Sequence, residues 1–263
     1  MDLIGMTVEQ GFQRFHKRLK PPTTDRTAAQ QHRQSIKDCL ESHFGRGPFK
    51  RTGSFGNGIS VANFSDVDYI AVLPDHNVTQ DSERMLKQVR HVLHRRFPRT
   101  DVQRSCPAVL IPFGQRKEED TEVVPARYIG QRNGKLHVFA IPNCSGGWMP
   151  KSPETQNAYV TRIHQARGQK VKLLIRFIKA WGYARQVPIS SFYIELFVAR
   201  YAADQHDIVY GADVVGVFNE MERSGLAPVS DPTGVSGKVP ACGSKSNIKT
   251  ACSRVRKTAS EAR

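Results

Sequence analysis

Two patterns of apolar and polar positions divide the chain into a first part with strands and a later part made of helices. Alternation of apolar and polar residues predicts strands around residues 101–112, 121–128 and 135–141. Apolar positions three and four residues apart predict helices over residues 6–19, 25–44, 80–96, 159–184, 191–203, 207–224 and 246–262. Thr24 or Asp25 is expected to cap the second helix. The pattern predicts an α/β (α+β) fold.

The most informative stretch runs from residue 53 to residue 73. It begins with a Gly53-Ser54 turn and continues to Asp66-Val67-Asp68, which opens an apolar strand. Alternate side chains of a strand share a face, so Asp66 and Asp68 are expected side by side. Neighbouring carboxylates repel each other, and proteins mostly tolerate that cost where divalent cations bind. The N–H groups and hydroxyl of the turn suit phosphate oxygens.

A third carboxylate is predicted on the strand near residue 122. Two divalent cations need more ligands than two side chains provide. Glu122 shares a face with Val124, and Pro125 is expected to end the strand. The preceding charged run 118–120 is interpreted as a solvated loop. The turn and the three acids together predict nucleotidyl transfer with two Mg²⁺ ions, for which Mn²⁺ can substitute.

These motifs resemble those of the polymerase-beta-like nucleotidyltransferase superfamily. Within it, the chain is similar to the branch of cyclic GMP-AMP synthase, oligoadenylate synthase and the bacterial CD-NTases of CBASS anti-phage systems. The resemblance extends over about residues 25–260 and includes segments 148–153, 173–181, 188–196 and Asp231-Pro232. The chain departs from it at Gly56-Asn57-Gly58, where relatives often carry Gly-Thr, and at Glu122, where many have Asp.

The resemblance implies a bilobal enzyme with the metal-binding acids Asp66, Asp68 and Glu122. It assigns residues 1–150 to a nucleotidyltransferase core and residues 151–263 to a helical nucleotide-binding lobe. It also implies donor-nucleotide contacts, from Gly53 and Ser54 in the core and from Lys179, Ser191 and Phe192 in the helical lobe. The expected product is a cyclic di- or trinucleotide made from ATP, GTP or other nucleoside triphosphates, which acts on a downstream effector in antiviral signalling.

The charge of the chain favours an anionic partner. The 39 Lys and Arg residues exceed the 24 Asp and Glu residues, for a net charge of +15. The helix at 80–96 carries a one-signed basic stripe, which consists of Arg84, Lys87, His91 and Arg95. This stripe predicts contact with nucleic acid, for example an activating RNA.

The remaining composition points to a cytoplasmic chain without a membrane segment. No apolar run reaches the ~18 residues of a membrane span, and the start does not resemble a signal peptide. The five cysteines show no zinc spacing and are expected to be reduced thiols.

Three other functions remain open on the sequence. A linear oligonucleotide synthase of the oligoadenylate type would share every motif. A nucleotidyltransferase that modifies RNA or tRNA would share the three acids and use the basic surface as a substrate groove. A non-enzymatic nucleic-acid-binding module would fit the charge but would leave the carboxylates unexplained.

Overall fold

The computed structural model describes residues 6–20, 26–62, 64, 66–113, 119–132, 136–232, 234 and 237–262. The predicted Thr24 or Asp25 cap and Glu118 lie outside these residues. The helices are α1 Val8–Leu19, α2 Arg26–Phe44, α3 Gly53–Gly56, α4 Ser82–Arg96, α5 Pro153–Ala166, α6 Val171–Ala184, α7 Ser191–Ala203, α8 Tyr210–Arg223 and α9 Lys245–Glu261. The strands are β1 Phe49–Arg51, β2 Val67–Val72, β3 Gln103–Ser105, β4 Ala108–Phe113, β5 Glu119–Arg132, β6 Leu136–Pro142, β7 Trp148–Lys151, β8 Val229–Ser230 and β9 Lys238–Val239.

The described residues form a mixed α/β fold that divides into two compact units. One unit contains α2–α4 and the seven strands β1–β7. The other contains α1, segment 59–62 and the described residues from 156 onward. The sequence predicted a division at residue 150, whereas the two units divide at residues 155 and 156 and α1 belongs to the helical unit.

The sheet of the first unit is organised around β5. Its main order is β1-β2-β5-β4-β3, while β6 pairs with the later part of β5 and β7 pairs with β6. The β2–β5 pair is parallel and the other pairs are antiparallel. Because β2 and β5 run in the same direction, their first residues lie at one edge of the sheet.

One face of the sheet is covered by helices and forms the core of this unit. Val67 and Tyr69 of β2 and Val123 of β5 pack in the same apolar cluster as Met85 and Leu93 of α4. These residues are almost completely buried. Alternation along the strands then places the intervening residues of β2 and β5 on the opposite face, where the predicted acids lie.

The hydrophobic core of the second unit contains an apolar stripe of α6. Leu174, Ile175 and Ile178 are fully buried and pack in one cluster with residues of α7, α8 and α9. Tyr193 and Val198 of α7 are equally buried. The periodicity of three and four residues therefore predicted the buried face of α6.

Two predicted strand boundaries are wrong. The expected strand 101–112 is a hairpin, because Cys106 and Pro107 form a turn between β3 and β4. Pro125 does not end β5, which continues to Arg132. Pro125 lies after the last residue paired with β4 and before the first residue paired with β6, where a missing N–H is tolerated.

The predicted helix 159–184 is two helices. Gly168 and Gln169 both adopt positive φ angles, of 59° each, and separate α5 from α6. Consecutive residues in this left-handed region cannot continue a right-handed helix.

The prediction that all cysteines are reduced is also wrong. Cys106 and Cys144 form a disulfide bond, although 38 positions separate them in sequence. Cys39, Cys242 and Cys252 are free thiols. None of the described helices combines the length and apolar character needed to cross a membrane.

Candidate active site

The parallel pairing of β2 and β5 places two predicted acids next to each other. Asp68 and Glu122 are directly opposed in the register, and Val67 opposes Thr121 in the same way. Both acids are half-buried, whereas Val67 and Thr121 are buried. Asp66 directly precedes β2 and lies at the surface.

Gly53 lies directly against the carboxylate of Asp68. A Cβ atom on Gly53 would be 1.7 Å from Oδ2 of Asp68, and the φ angle of Gly53 is +60°. The neighbouring Thr52 N–H donates to the carbonyl oxygen of Asp68 at 2.8 Å. Gly53 and Ser54 open the short helix α3, so the predicted phosphate-binding turn lies beside one of the predicted metal ligands.

The negative charges of the acids at this edge of the sheet repel one another. Burial, followed by the charges of Asp68 and Asp66, raises the pKa of Glu122 from 4.5 to about 7. The pKa of Asp66 is also raised, first by desolvation of its carboxyl and then by the charge of Asp120. A cation bound here would relieve both effects.

Two residues of this region were missed by the sequence analysis. Asp120 belongs to β5 rather than to a solvated loop, is half-buried, and its Oδ1 is buried without a hydrogen-bond partner in the described structure. Ser105 of β3 donates from Oγ to Oε1 of Glu122 at 3.4 Å. Strand alternation was the available signal for Asp120, because it lies two positions before Glu122.

The donor set has the chemistry that Mg²⁺ and Mn²⁺ prefer, namely carboxylate oxygens around a centre of negative charge. Within the described ranges, no three His, Cys, Asp or Glu side chains are already arranged to hold a metal ion. Asp68 and Glu122 are opposed on β2 and β5, and Asp66 directly precedes β2, so these three acids are the candidates for such a role.

The three predicted nucleotide contacts of the helical unit have different surroundings. The Nζ atom of Lys179 donates to Oε1 of Glu195 at 2.9 Å, and its side chain is fully buried. Ser191 begins α7, and its hydroxyl shares a 3.1 Å hydrogen bond with that of Tyr183. Phe192 is half-buried against the apolar cluster of this unit. Of these groups, Lys179 is thus the one already engaged in a buried ion pair.

The basic stripe of α4 lies on the surface. The residues Met85, Leu86, Val89 and Leu93 bury the opposite side of the helix. All four residues of the predicted stripe are exposed, namely Arg84, Lys87, His91 and Arg95. These four residues form no ion pair within the described part of the chain.

Solved structures of bacterial CD-NTases share this fold. Escherichia coli MS115-1 CdnC, solved with ATP, has a TM-score of 0.75 and 16% identity, over 95% of this chain and 90% of that one. Elizabethkingia meningoseptica CdnE cyclic dinucleotide synthase, solved with GTP and Apcpp, has a TM-score of 0.75 and 17% identity, over 97% of this chain and 99% of that one. Bradyrhizobium diazoefficiens CdnG, solved with GTP, has a TM-score of 0.77 and 12% identity, over 99% and 91%.

The sequence itself carries the family assignment. No curated protein matches the chain. The family described as Second Messenger Oligonucleotide or Dinucleotide Synthetase domain (SMODS) matches residues 6–163, which include the Gly53-Ser54 turn and the predicted acids. The chain therefore belongs to the SMODS family and is a nucleotidyltransferase of the CD-NTase type.

Proposed function

We propose that this enzyme joins nucleoside triphosphates into a cyclic di- or trinucleotide and releases pyrophosphate. The observation that carries the proposal is the pair Asp68 and Glu122, directly opposed on parallel strands, with Gly53 against the Asp68 carboxylate. The solved relatives are consistent with it, because their structures contain ATP or GTP. ATP, GTP or both are therefore the first substrates to test.

The proposed chemistry assigns a role to each acid. Asp66, Asp68 and Glu122 would hold the divalent ions, Mg²⁺ or Mn²⁺, which stabilise the charge on the reacting phosphate. Glu122 would also accept the proton of the attacking hydroxyl. Glu122 has a pKa of about 7 in the metal-free protein, and a bound cation would lower it, so the carboxylate would be deprotonated and able to accept a proton near neutral pH.

Nucleotide contacts are assigned to the five residues Gly53, Ser54, Lys179, Ser191 and Phe192. The backbone N–H groups of Gly53 and Ser54 and the hydroxyl of Ser54 suit phosphate oxygens. Ser191 retains its proposed role as a phosphate contact, and Phe192 its role of stacking on a base. The Lys179 contact requires its ammonium to exchange Glu195 for a phosphate, because the two groups are paired in the structure.

The biological role proposed is antiviral signalling of the CBASS type. The cyclic product would leave the enzyme and act on a downstream effector. The family match supports the signalling part of this role, since its description names second messenger synthesis. We place this activity in the cytoplasm, where nucleoside triphosphates are available.

The test is an incubation with labelled ATP, GTP, CTP and UTP and Mg²⁺ or Mn²⁺, with and without RNA. A phosphatase-resistant small product, identified by mass, is expected. Asp66→Asn and Asp68→Asn should abolish it, as should a chelator, whereas Asp75→Asn on an exposed turn should not. A phosphatase-sensitive ladder would indicate a linear oligonucleotide synthase, and label in the RNA would indicate an RNA-modifying enzyme.

A second proposal concerns the basic stripe Arg84, Lys87, His91 and Arg95, which we assign to binding of an activating RNA. Exposed cations attract phosphates, and each phosphate contact steepens the salt dependence of binding. Changing Arg84, Lys87 and Arg95 to Glu should weaken RNA binding at least about tenfold and reduce the salt slope by about three.

The control for that variant removes the same charge elsewhere. Lys245, Lys249 and Lys257 are exposed on α9, and their change to Glu also lowers the net charge by six. Equal loss of RNA binding in the two variants would mean that general charge, rather than the α4 stripe, attracts RNA. Unchanged binding in the α4 variant would remove the proposal.

A further inference from the structure

The disulfide bond links two loops of the sheet that carries the acids. Cys106 belongs to the turn between β3 and β4, and Cys144 to the loop 143–147 between β6 and β7. Cys106 is half-buried, and Cys144 is exposed. A soluble thiol can therefore reach the bond from the side of Cys144.

The loop that carries Cys144 has its own anchors. Oδ1 of Asn143 accepts from the N–H groups of Ser145 and Gly147 at 2.9 and 3.0 Å. The carbonyl of Gly146 accepts from the N–H of Ser82 at the start of α4, at 2.9 Å. These hydrogen bonds hold loop 143–147 in place without the disulfide. The loop is therefore the fixed end of the covalent link.

The turn that carries Cys106 is the other end of the covalent link, and the residue before it, Ser105, contacts Glu122. Ser105, next to Cys106, pairs with Ala108 as the last pair of the short β3–β4 ladder. The Oγ atom of Ser105 donates to Oε1 of Glu122 at 3.4 Å. β3 is paired only with β4 in the described sheet and spans three residues. Short edge strands of this kind open easily, so a covalent tie at the turn restricts the position of Ser105.

We propose that Ser105 is a positioning residue for Glu122 and that the Cys106–Cys144 disulfide holds it there, which makes nucleotide synthesis sensitive to thiol reduction. This inference rests on the proposed function for its rate measurements, but not for its structural ones. Disulfides in reducing compartments are usually transient and regulatory, which matches a bond that is exposed at Cys144 and whose Cys106 is the sequence neighbour of Ser105.

The redox step is a thiol–disulfide exchange with a dithiol. One thiolate of the dithiol attacks Sγ of Cys144, the S–S bond breaks, and Cys106 leaves as a thiolate. The second thiol of the dithiol then displaces Cys144 and closes the reductant's own disulfide. The protein gains two electrons and two protons, and the dithiol loses the same number.

The structural readout uses the full chain, oxidised or reduced with dithiothreitol. Alkylation and mass spectrometry should find Cys106 and Cys144 linked only in the oxidised sample. Hydrogen exchange of residues 103–110 should rise on reduction, while exchange within α6 stays the same. Free alkylation of both cysteines without reductant, or unchanged exchange at 103–110 on reduction, would overturn the proposal even if no nucleotide product were ever found.

The catalytic readout compares kcat with KM. Ser105→Ala should lower kcat about five- to tenfold with KM changed less than about twofold, because a misplaced group costs rate rather than binding. Ser105→Thr, which keeps the hydroxyl, should recover most of the rate. Reduction should lower kcat of the wild type to a similar degree but should have little further effect on Ser105→Ala.

Cysteine variants supply the matched controls. Replacing Cys106 and Cys144 together by Ser should give the low rate and remove the response to dithiothreitol. Replacing the free pair Cys242 and Cys252 by Ser should leave both the rate and the response unchanged. The proposed link between the disulfide and Ser105 would be contradicted by a double variant at 106 and 144 that is as active as the oxidised wild type. It would also be contradicted if the losses of rate from reduction and from Ser105→Ala were additive.

Discussion

Single residues at the edge of β2 and β5 are positioned by close contacts that leave little room for change. Gly53 is the clearest case, because the carboxylate of Asp68 occupies the space that a side chain would need. The metal-binding roles of Asp66, Asp68 and Glu122 are predictions made from alternation and from the Gly-Ser turn before them. Asp120 was missed, because as part of a charged run it looks the same in sequence whether it lies in a loop or in a strand.

Gly53→Ala should disrupt the site more than a comparable change next to it. Its Cβ would overlap Oδ2 of Asp68, so we expect activity to fall about 100-fold, as small displacements of catalytic groups commonly cause. Gly58→Ala is the matched control, since Gly58 has a φ angle of +68° and nothing within 4 Å of the new Cβ.

Both variants carry the backbone cost of about 1–2 kcal/mol for a left-handed alanine. Melting temperatures and initial rates of nucleotide synthesis separate this shared cost from the effect on Asp68. Equal activity in the two variants would show that Asp68 can move away from the new methyl group without loss of function.

Pairs of elements contain interactions that no single element reveals. Lys179 of α6 and Glu195 of α7 form an ion pair with the lysine side chain fully buried. Lys179 was predicted from the sequence as a nucleotide contact, but its acidic partner 16 positions later was not connected with it. Similarly, the break between α5 and α6 was missed, because the apolar spacing continues across Gly168 and Gln169.

Lys179→Met should destabilise the protein, because it leaves the carboxylate of Glu195 buried without its cation. Loss of one partner of such a pair costs about 3 kcal/mol. Adding Glu195→Leu should restore most of the stability, since it removes the uncompensated charge. Lys172→Met on the same helix is the control, because Lys172 is only half-buried and forms no ion pair within the described residues.

Chemical denaturation measures the free energy of unfolding, and the KM for nucleoside triphosphate is measured in parallel. Unchanged stability with a raised KM in Lys179→Met would assign the lysine to phosphate binding instead of to the α6–α7 pair.

On the scale of the whole molecule, the strongly basic chain concentrates acidic groups at one edge of its sheet. The net charge of +15 attracts polyanions in general, whereas Asp66, Asp68 and Glu122 form a local negative centre. Burial first and local repulsion second, rather than net charge, raise the pKa values of Glu122 and Asp66. The stability of the metal-free protein should therefore depend on pH.

The free energy of unfolding without metal should fall as the pH rises from about 4.5 to about 7. Glu122 has a folded pKa of about 7, above its usual 4.5, so its protonated form is the one that the fold favours. Its contribution is complete below pH 4.5 and is lost as the pH passes the folded pKa. The shift corresponds to about 3 kcal/mol at most, and solvent screening lowers the expected change to about 1–2 kcal/mol.

Urea unfolding at pH 5 and pH 8, with a chelator present, measures this change. Glu122→Gln should remove most of it, whereas Glu261→Gln at the exposed end of α9 should not. Addition of Mg²⁺ should stabilise the protein more at pH 8 than at pH 5, because the ion binds the deprotonated carboxylates. An identical pH dependence in Glu122→Gln and the wild type would exclude Glu122 as its source.

The sequence by itself determined the fold class, because alternation along a strand and spacing along a helix are local properties of the chain. Its motifs carried the resemblance to the family, which the family match confirms, and the roles of Asp66, Asp68 and Glu122 stay predictions. Tertiary structure decided which distant residues meet. It brought Cys106 to Cys144, Lys179 to Glu195 and Ser105 to Glu122, and it placed Asp120 in β5. These contacts depend on strand pairing and helix packing between segments far apart in sequence, and neither composition nor local periodicity records such pairing.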